Sequence, residues 1–335
     1  MTFRRLGDGP LLSPRDIPAM PPSVIDPTSV FNPGAVRLDG ETFLLLRVQT
    51  RGRRTYLVPA RVSGAGPKIV APAPTELRGF PTSSGLTVFH CYDPRLTWLE
   101  GKLFVVTALD TDQGGRLAIW QADGDRTLGF AGLDRLDFVA LTGEEDTRNG
   151  VLFPERVEGR FLLLDRPNLA PLAGGPLTGD HIRLLESSDL VSWKSLGPVL
   201  AGRPRYWDEL VGAGPPPVRT PEGWLLVYHG VATHFQSVNI YQAGAAVLDL
   251  SDPTLVRSRT RDNLLEPRES WELTGQVPNV VFPSGLTVDD GVPGGRALLY
   301  YGAADTVIGL AQASISELLA ACEAWPAGAA NRRNP

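Results

Sequence analysis

Several polar side chains stand at the ends of strongly apolar runs, where they could do chemistry together. Arg47 closes Phe43-Leu44-Leu45-Leu46, Arg166 closes Phe161-Leu162-Leu163-Leu164-Asp165, and His229 closes Trp224-Leu225-Leu226-Val227-Tyr228. Asp305 follows Leu298-Leu299-Tyr300-Tyr301-Gly302-Ala303-Ala304, while Asn32, Asp93 and Arg148 lie in the segments that enter such runs. One charge ending an apolar run is ordinarily a residue emerging into water. Four at matching places point instead to a shared pocket. Three arginines and a histidine make a clamp for phosphate or carboxylate, because guanidinium binds such groups bidentately. Asp93 and Asp305 would add acid catalysis and hydroxyl recognition. Arg95, in Tyr92-Asp93-Pro94-Arg95, fits a structural ion pair with Asp93 as well as a place in the site.

Other chemistries find little support. His90, His181, His229 and His234, with Cys91 and Cys322, show no zinc-ligand spacing, and no metal is expected. Gly212-Ala213-Gly214 lacks the helix and downstream glycine of a nucleotide fingerprint. No Gly-x-Ser-x-Gly elbow occurs.

The elements that must hold these residues form a repeat. An apolar strand, a tight turn with glycine and a second apolar strand recur at Gly40, Gly101, Gly159, Gly223 and Gly295, spaced by 61, 58, 64 and 72 positions. In the first four copies an acidic residue precedes the glycine, as suits a hairpin turn with positive φ. Pro33, Pro94, Pro154, Pro217 and Pro283 precede the turns, and proline belongs where a strand begins, not in its interior. Ser187-Ser188-Asp189-Leu190-Val191-Ser192-Trp193 resembles the strand-end turn with a tryptophan common in sugar-binding propellers. Five units of about 60 residues with almost no helical periodicity predict radial repetition of four-stranded sheets. The expected fold is all-β, a single five-bladed β-propeller over residues 1–335, with blades around 31–80, 90–130, 150–200, 212–260 and 277–315. Two stacked sandwiches would not naturally produce five copies. Ser314-Ile315-Ser316-Glu317 is a capping box that predicts a short C-terminal helix through Leu318-Leu319-Ala320-Ala321. The tail after Trp325 reads as a polar end.

Composition narrows the partners. The 335 residues carry a net charge of -5, which argues against nucleic acid, so an anionic ligand would need locally clustered arginines. Two cysteines make no disulfide framework, and no run approaches the roughly 20 apolar residues of a membrane span. Met1-Thr2-Phe3-Arg4-Arg5-Leu6-Gly7-Asp8 lacks the apolar stretch of a secretory signal, so the expected location is cytoplasmic. Homo-oligomerisation stays open.

From about Phe31 to Leu310 the chain resembles glycoside hydrolase family 130, the β-mannoside phosphorylases and β-mannosidases. The stretches that carry the resemblance include Phe31-Asn32-Pro33-Gly34, Asp93-Pro94-Arg95, Val151-Leu152-Phe153-Pro154-Glu155 and Arg166-Pro167. Gly212-Ala213-Gly214-Pro215-Pro216-Pro217, Tyr228-His229-Gly230, Val277-Pro278-Asn279 and Tyr300-Tyr301-Gly302-Ala303-Ala304-Asp305 continue it. The resemblance implies an inverting phosphorylase in which Asp93 acts as general acid on the glycosidic oxygen through a sugar hydroxyl. Inorganic phosphate, a co-substrate and not a cofactor, then attacks the anomeric carbon to give mannose 1-phosphate. No other cofactor is implied. Asn32 and Asp305, with Arg95 and Tyr92 beside the acid, would bind substrate; Arg47, Arg148, Arg166 and His229 would bind phosphate. The chain departs from the family at Tyr92, where glutamate is common, and at Leu210, where phosphorylases typically carry lysine.

Two other readings stay open. A hydrolase of the same family would pair Asp93 with a base such as Glu155 or Glu209, set far enough away to admit water. A non-catalytic sugar-binding propeller would keep Asn32 and Asp305 without needing Asp93. The arabinan- and fructan-cleaving propellers would need three carboxylates spread over the blades, and that set is not evident. Linkage and acceptor preference are expected to depend on the segments around 168–181 and 232–242.

Overall fold

The computed structural model describes residues 1–63, 66–69, 73–81, 84–122, 132–168, 179–233, 239–289, 291 and 294–324. Among the described residues, five sheets follow one another along the chain as the five blades of a β-propeller, antiparallel but for one edge strand of the second. The first blade runs outward as Pro27–Leu38, Glu41–Thr50, Thr55–Ser63 and Gly66–Ile69. The second is Val88–Leu99, Lys102–Thr111, Gly114–Ala122 and Arg135–Leu141; the third is Thr147–Leu152, Phe161–Pro167, His181–Ser187 and Lys194–Ala201. In the fourth, Leu210–Ala213 and Val218–Thr220 share the inner position beside Gly223–Ala232, Ile240–Leu248 and Val256–Thr260. The fifth is Val281–Asp289, Arg296–Ala303 and Val307–Ser314.

The hairpins form where the turn chemistry allows. Asp39-Gly40, Glu100-Gly101 and Glu158-Gly159 all have both residues at positive φ, 49–51° for the acid and 77–83° for the glycine. That is the two-residue turn whose twist matches its flanking strands. Glu222-Gly223 differs, with only Gly223 at positive φ.

The repeat spacing assigned residues 76–78 to the first blade. Glu76–Arg78 is instead the outermost strand of the second, parallel to Arg135–Leu141. Arg4–Arg5 crosses back to pair with Val307–Ser314, and Cys322–Ala324 joins the edge of the fourth blade. Ser314 caps a helix over Ile315–Ala320 through its reciprocal bonds with Glu317. Residues after Ala324, the polar tail included, lie outside those described.

Among the described residues there are five apolar clusters, one between each pair of neighbouring blades. Side chains alternate across a strand, so each sheet feeds two of them. Leu44, Leu46 and Val48 pack toward the fifth blade, while Phe43 and Leu45 pack toward the second. Both faces are buried, which is why these strands read as unbroken apolar runs. Truncating fully buried Leu45 to alanine should cost about 2–5 kcal/mol.

The inner strands are not regular. Their register slips between Phe31 and Gly34, Tyr92 and Arg95, Arg148 and Val151, and Pro283 and Gly285. A β-bulge re-aims the side chain at its apex. At three of these bulges that residue is left-handed: Asn32 at φ 46°, Asp93 at 52° and Asn149 at 55°. Asn and Asp tolerate this conformation better than other side-chain-bearing residues.

Candidate active site

The bulges open into a cavity of about 530 Å³ at one end of the propeller. Asn32 and Arg47 line it from the first blade, Tyr92 and Asp93 from the second, Arg148 and Arg166 from the third, and Asp305 from the fifth. Seven of the nine residues singled out in the sequence therefore share one cavity.

Asp93 is its most constrained member. Arg47 Nη1 donates to Asp93 Oδ1 at 2.7 Å, and Asn32 Nδ2 donates to the same oxygen at 3.0 Å. Burial alone would raise the carboxyl pKa; Arg47, Arg95 and the Asn32 bond outweigh it and hold the group below its ordinary value. Asp305 shows the reverse balance. Burial pushes it up to about 6, with Arg47 pulling down and Asp93 pushing up. One carboxyl is thus held charged and its neighbour is eased toward neutrality. Asn32 can approach because residue 302 is glycine: a Cβ there would lie 1.9 Å from Asn32 Oδ1.

Tyr92 takes the place of a charged neighbour with a ring face. The Arg47 guanidinium lies 4.5 Å from its centroid and that of Arg148 lies 6.0 Å away. Cation–π contact steadies both guanidiniums without neutralising them. Burial pushes the Tyr92 phenol up to about 12, so it remains neutral.

The arginines are under-satisfied. Nε of Arg47, Arg148 and Arg166 is buried without a hydrogen-bond partner. Arg166 donates through Nη2 to Asn168 Oδ1 at 3.0 Å, and Asn168 Nδ2 is anchored on Asp146. Burial lowers the Arg166 pKa to about 10, with repulsion from Arg148 adding to it, yet the group remains cationic at neutral pH. A buried donor without a partner costs about 1–3 kcal/mol. An anion with several acceptor oxygens would remove that cost at three places.

Arg95 and His229 do not line the cavity. Arg95 is buried behind it, donating from Nε to the Gly214 carbonyl at 2.8 Å and from Nη1 to the carbonyls of Asp93 and Pro94 at 3.2 Å. It clamps the bulge that carries Asp93 and acts on the carboxylate only by its charge. His229 is fully buried, its ring 4.6 Å from that of Phe282. Burial, with Arg166 and Arg95 nearby, holds its pKa well below the ordinary value, so the imidazole is neutral. Glu155 pairs with Arg219, and Glu209 accepts from Thr233; neither faces the cavity. Among the described residues its carboxyl groups are those of Asp93, Asp110 and Asp305.

Sequence reasoning missed Asn149, Gln49, Asp110 and Tyr241, and left His90 unassigned. Aligning Asn32-Pro33 and Asp93-Pro94 with Asn149-Gly150 would have found the third bulge. Gln49 stands two residues beyond Arg47, on the same strand face. Among the described residues no group of three or more His, Cys, Asp or Glu side chains could hold a metal ion, and no helix is long and apolar enough to cross a membrane. The Asp189 turn predicted before Trp193 is present at an outer hairpin, where Asp189 Oδ1 accepts from the amides of Val191 and Ser192.

Comparison with known proteins identifies the family. A family model described as β-1,4-mannooligosaccharide phosphorylase matches residues 11–324. A β-1,4-mannooligosaccharide phosphorylase of Ruminococcus albus is 37% identical over 236 residues, 68% of this chain and 64% of that protein. A 1,2-β-oligomannan phosphorylase of Thermoanaerobacter is 37% identical over 169 residues, 50% of this chain and 51% of that protein. The chain thus spans between half and two thirds of the length of these curated relatives. The solved β-1,2-mannobiose phosphorylase of Listeria innocua, in complex with β-1,2-mannobiose, superposes with a TM-score of 0.79 at 26% identity, covering 96% of this chain and 99% of that one. With its five blades, its bulge-borne aspartate and a family match across nearly its whole length, the chain belongs to glycoside hydrolase family 130.

Proposed function

We propose that the chain is an inverting β-mannoside phosphorylase that cleaves a short β-linked mannoside with inorganic phosphate. The observation that carries this is the pairing of Asp93 with a wall of buried, unpartnered arginine nitrogens. Asn32 and Arg47 both use Oδ1, so Oδ2 of Asp93 is the oxygen available to carry and deliver a proton.

The mannosyl unit would sit against Asn32, Asp93 and Asp305, with Arg95 supporting the bulge from behind. Arg148 and Arg166 would hold phosphate on the far side of the anomeric carbon, with Arg47 between phosphate and acid and buried His229 behind Phe282. The bond from the anomeric carbon to the leaving oxygen breaks as a phosphate oxygen bonds to that carbon. The proton of Asp93 passes to the leaving oxygen through a sugar hydroxyl, and the products are α-mannose 1-phosphate and a shortened sugar. Phosphate arrives as a competent nucleophile, so no second carboxylate need act as base.

A carboxyl held ionised must gain a proton before it can act as an acid. Two consequences of binding work toward that. The sugar displaces water and deepens the burial that already raises the pKa, and bound phosphate offsets the cations that lower it. Phosphate would then help to arm the acid.

Purified protein is incubated with β-1,2- and β-1,4-mannobiose, with and without phosphate. Mannose 1-phosphate formed only with phosphate supports the proposal. Free mannose released at the same rate in phosphate-free buffer sinks it in favour of hydrolysis, for which Asp110 or Asp305 would have to serve as base.

A further inference from the structure

Resting on the phosphorylase reading, we infer that Asp146 is a positioning residue of the reaction: acting through Asn168, it aims the Arg166 guanidinium at phosphate.

The need arises from the strands themselves. Arg148 stands directly opposite Arg166 across the inner pair of the third blade. Like charges facing each other on a sheet repel, and each side chain turns away from the other unless something holds it. Among the described residues, the one hydrogen bond of the Arg166 guanidinium goes to Asn168 Oδ1 at 3.0 Å. Side chains two apart on a strand share a face, so Asn168 stands beside Arg166 and Asp146 beside Arg148. The pairing of Thr147 with Pro167 continues by one step to Asp146 and Asn168, where the Asn168 amide donates to the Asp146 carbonyl at 2.9 Å.

Chemistry fixes the direction of this chain of bonds. A carboxylate only accepts and a guanidinium only donates, whereas a carboxamide does one at each end. Asn168 Nδ2 donates to Asp146 Oδ1 at 2.6 Å, which turns the oxygen of the same amide toward Arg166. Asp146 is held in turn by the second blade. Its Oδ1 also accepts from the Gly115 amide at 2.8 Å. A Cβ on residue 115 would lie 2.8 Å from that oxygen and 3.4 Å from Arg148 Nε, so the glycine makes room for both. Neither Asp146 nor Asn168 lines the cavity, and neither would touch phosphate. What they set is the direction of Arg166, whose Nε is buried without a partner. A guanidinium held in one direction grips an anion without first being ordered by it.

Phosphorolysis at varied phosphate tests this, with β-1,2- or β-1,4-mannobiose, whichever the native protein cleaves. Initial rates are taken for the native protein, Asp146→Ala, Asn168→Ala and Asp146→Asn, and for Asp146→Ala combined with Arg166→Gln. The phosphate KM should rise about 10-fold in Asp146→Ala and in Asn168→Ala, as for one lost hydrogen bond to a charged group. The disaccharide KM should stay within about 2-fold in both, because the sugar side is untouched. Asp146→Asn can still present an oxygen to Asn168 and Gly115, and should keep the phosphate KM within about 3-fold of native. Once Arg166 is glutamine, Asp146→Ala should add less than about 2-fold, because the group through which it acts is gone. Unchanged phosphate KM values in both alanine variants overturn the positioning role and leave the phosphorylase reading intact. So do equal rises for both substrates, or the same rise with and without Arg166. Asn168→Ala keeps the bond between Asp146 and Gly115, and decides the matter should Asp146→Ala fail to fold. A native protein that forms no mannose 1-phosphate from either mannobiose overturns the phosphorylase reading and the role of Asp146 with it.

Discussion

Arg47 meets Asp93 through a single carboxylate oxygen, Nη1 to Oδ1 at 2.7 Å, and Asn32 reinforces the same oxygen. This leaves the two oxygens of one carboxyl with different work. Oδ1 accepts both of these bonds, which leaves Oδ2 as the oxygen that would carry the proton in the proposed reaction. An acid oriented by its own anchor can deliver a proton along one direction only, and that orientation is a large part of what a general acid contributes.

Asp93→Asn preserves the shape and removes the proton. The value of kcat/KM for β-mannobiose should fall about 10³-fold, within the 10²–10⁴ that general acid catalysis supplies. With 2,4-dinitrophenyl β-mannoside, whose leaving group needs no proton, the loss should be less than about 10-fold. Equal losses on both substrates would show that Asp93 binds and does not donate.

Asp305 should make stability depend on pH in a direction opposite to Asp93. Its folded pKa is raised to about 6, so the folded chain holds the proton more tightly than the unfolded chain does. That contribution is fully present below the ordinary aspartate pKa and is lost as pH rises through about 6. Asp93 has a depressed folded pKa, and its contribution is present at neutral pH and lost as pH falls through that value. Asp305→Asn should therefore raise the melting temperature at pH 7.5, by at most about 3 kcal/mol in stability, and the gain should vanish near pH 4. Thermal melts from pH 4 to 8 read this directly. A difference that does not change with pH would assign the effect to packing.

Phosphate should stabilise the native protein and should do so through the arginine wall. A ligand at 100 times its Kd adds about 2.7 kcal/mol, worth a few degrees for a chain of this size. Arg166→Gln should abolish most of the shift and raise the phosphate KM about 10- to 100-fold. Without phosphate the same variant should melt no lower than the native protein, because it relieves the repulsion between Arg166 and Arg148. A phosphate shift that persists in Arg166→Gln would place the anion elsewhere.

The sequence showed the fold where the physics is local. Asp-Gly and Glu-Gly turns name the hairpins, and unbroken apolar runs name strands buried on both faces. Asp93 and Asn32 could be found because the repeat places both, each just before a proline, in segments that enter a blade; the bulges that carry them leave no such mark. Arg95 and His229 went the other way, since depth along the propeller axis leaves no trace in a strand. The Arg95 guanidinium finds its partner at Gly214, 119 residues away, and nothing near Arg95 in the chain announces it. Gln49, His90 and Asp110 carry no local motif, and only the assembled ring of blades brings their two strands together.

Leu210, where phosphorylases of the family typically carry lysine, allows the sharpest test of the anion side. It begins the inner strand Leu210–Ala213, two residues before Gly212, and so shares a strand face with it. A Cβ on Gly212 would lie 2.3 Å from the His229 ring and 2.8 Å from Asn149 Oδ1, so Gly212 lies against His229 and the bulge residue of the third blade. The strand start is firmly held. Asp208 is fully buried and accepts from Arg203, Arg259 and Tyr228 at 2.6–2.8 Å. Substitution at 210 should therefore leave the backbone in place. A lysine there would extend toward bound phosphate, and two unit charges 4 Å apart attract by about 4 kcal/mol at an effective dielectric of 20. Desolvation and repulsion from Arg148 and Arg166 take back most of that, leaving about 1 kcal/mol. Leu210→Lys should accordingly lower the phosphate KM about 3- to 10-fold, with the disaccharide KM within 2-fold, in initial rates at varied phosphate. A phosphate KM that is unchanged or higher would mean that this strand face lies out of reach of the phosphate, and that the three arginines hold it unaided.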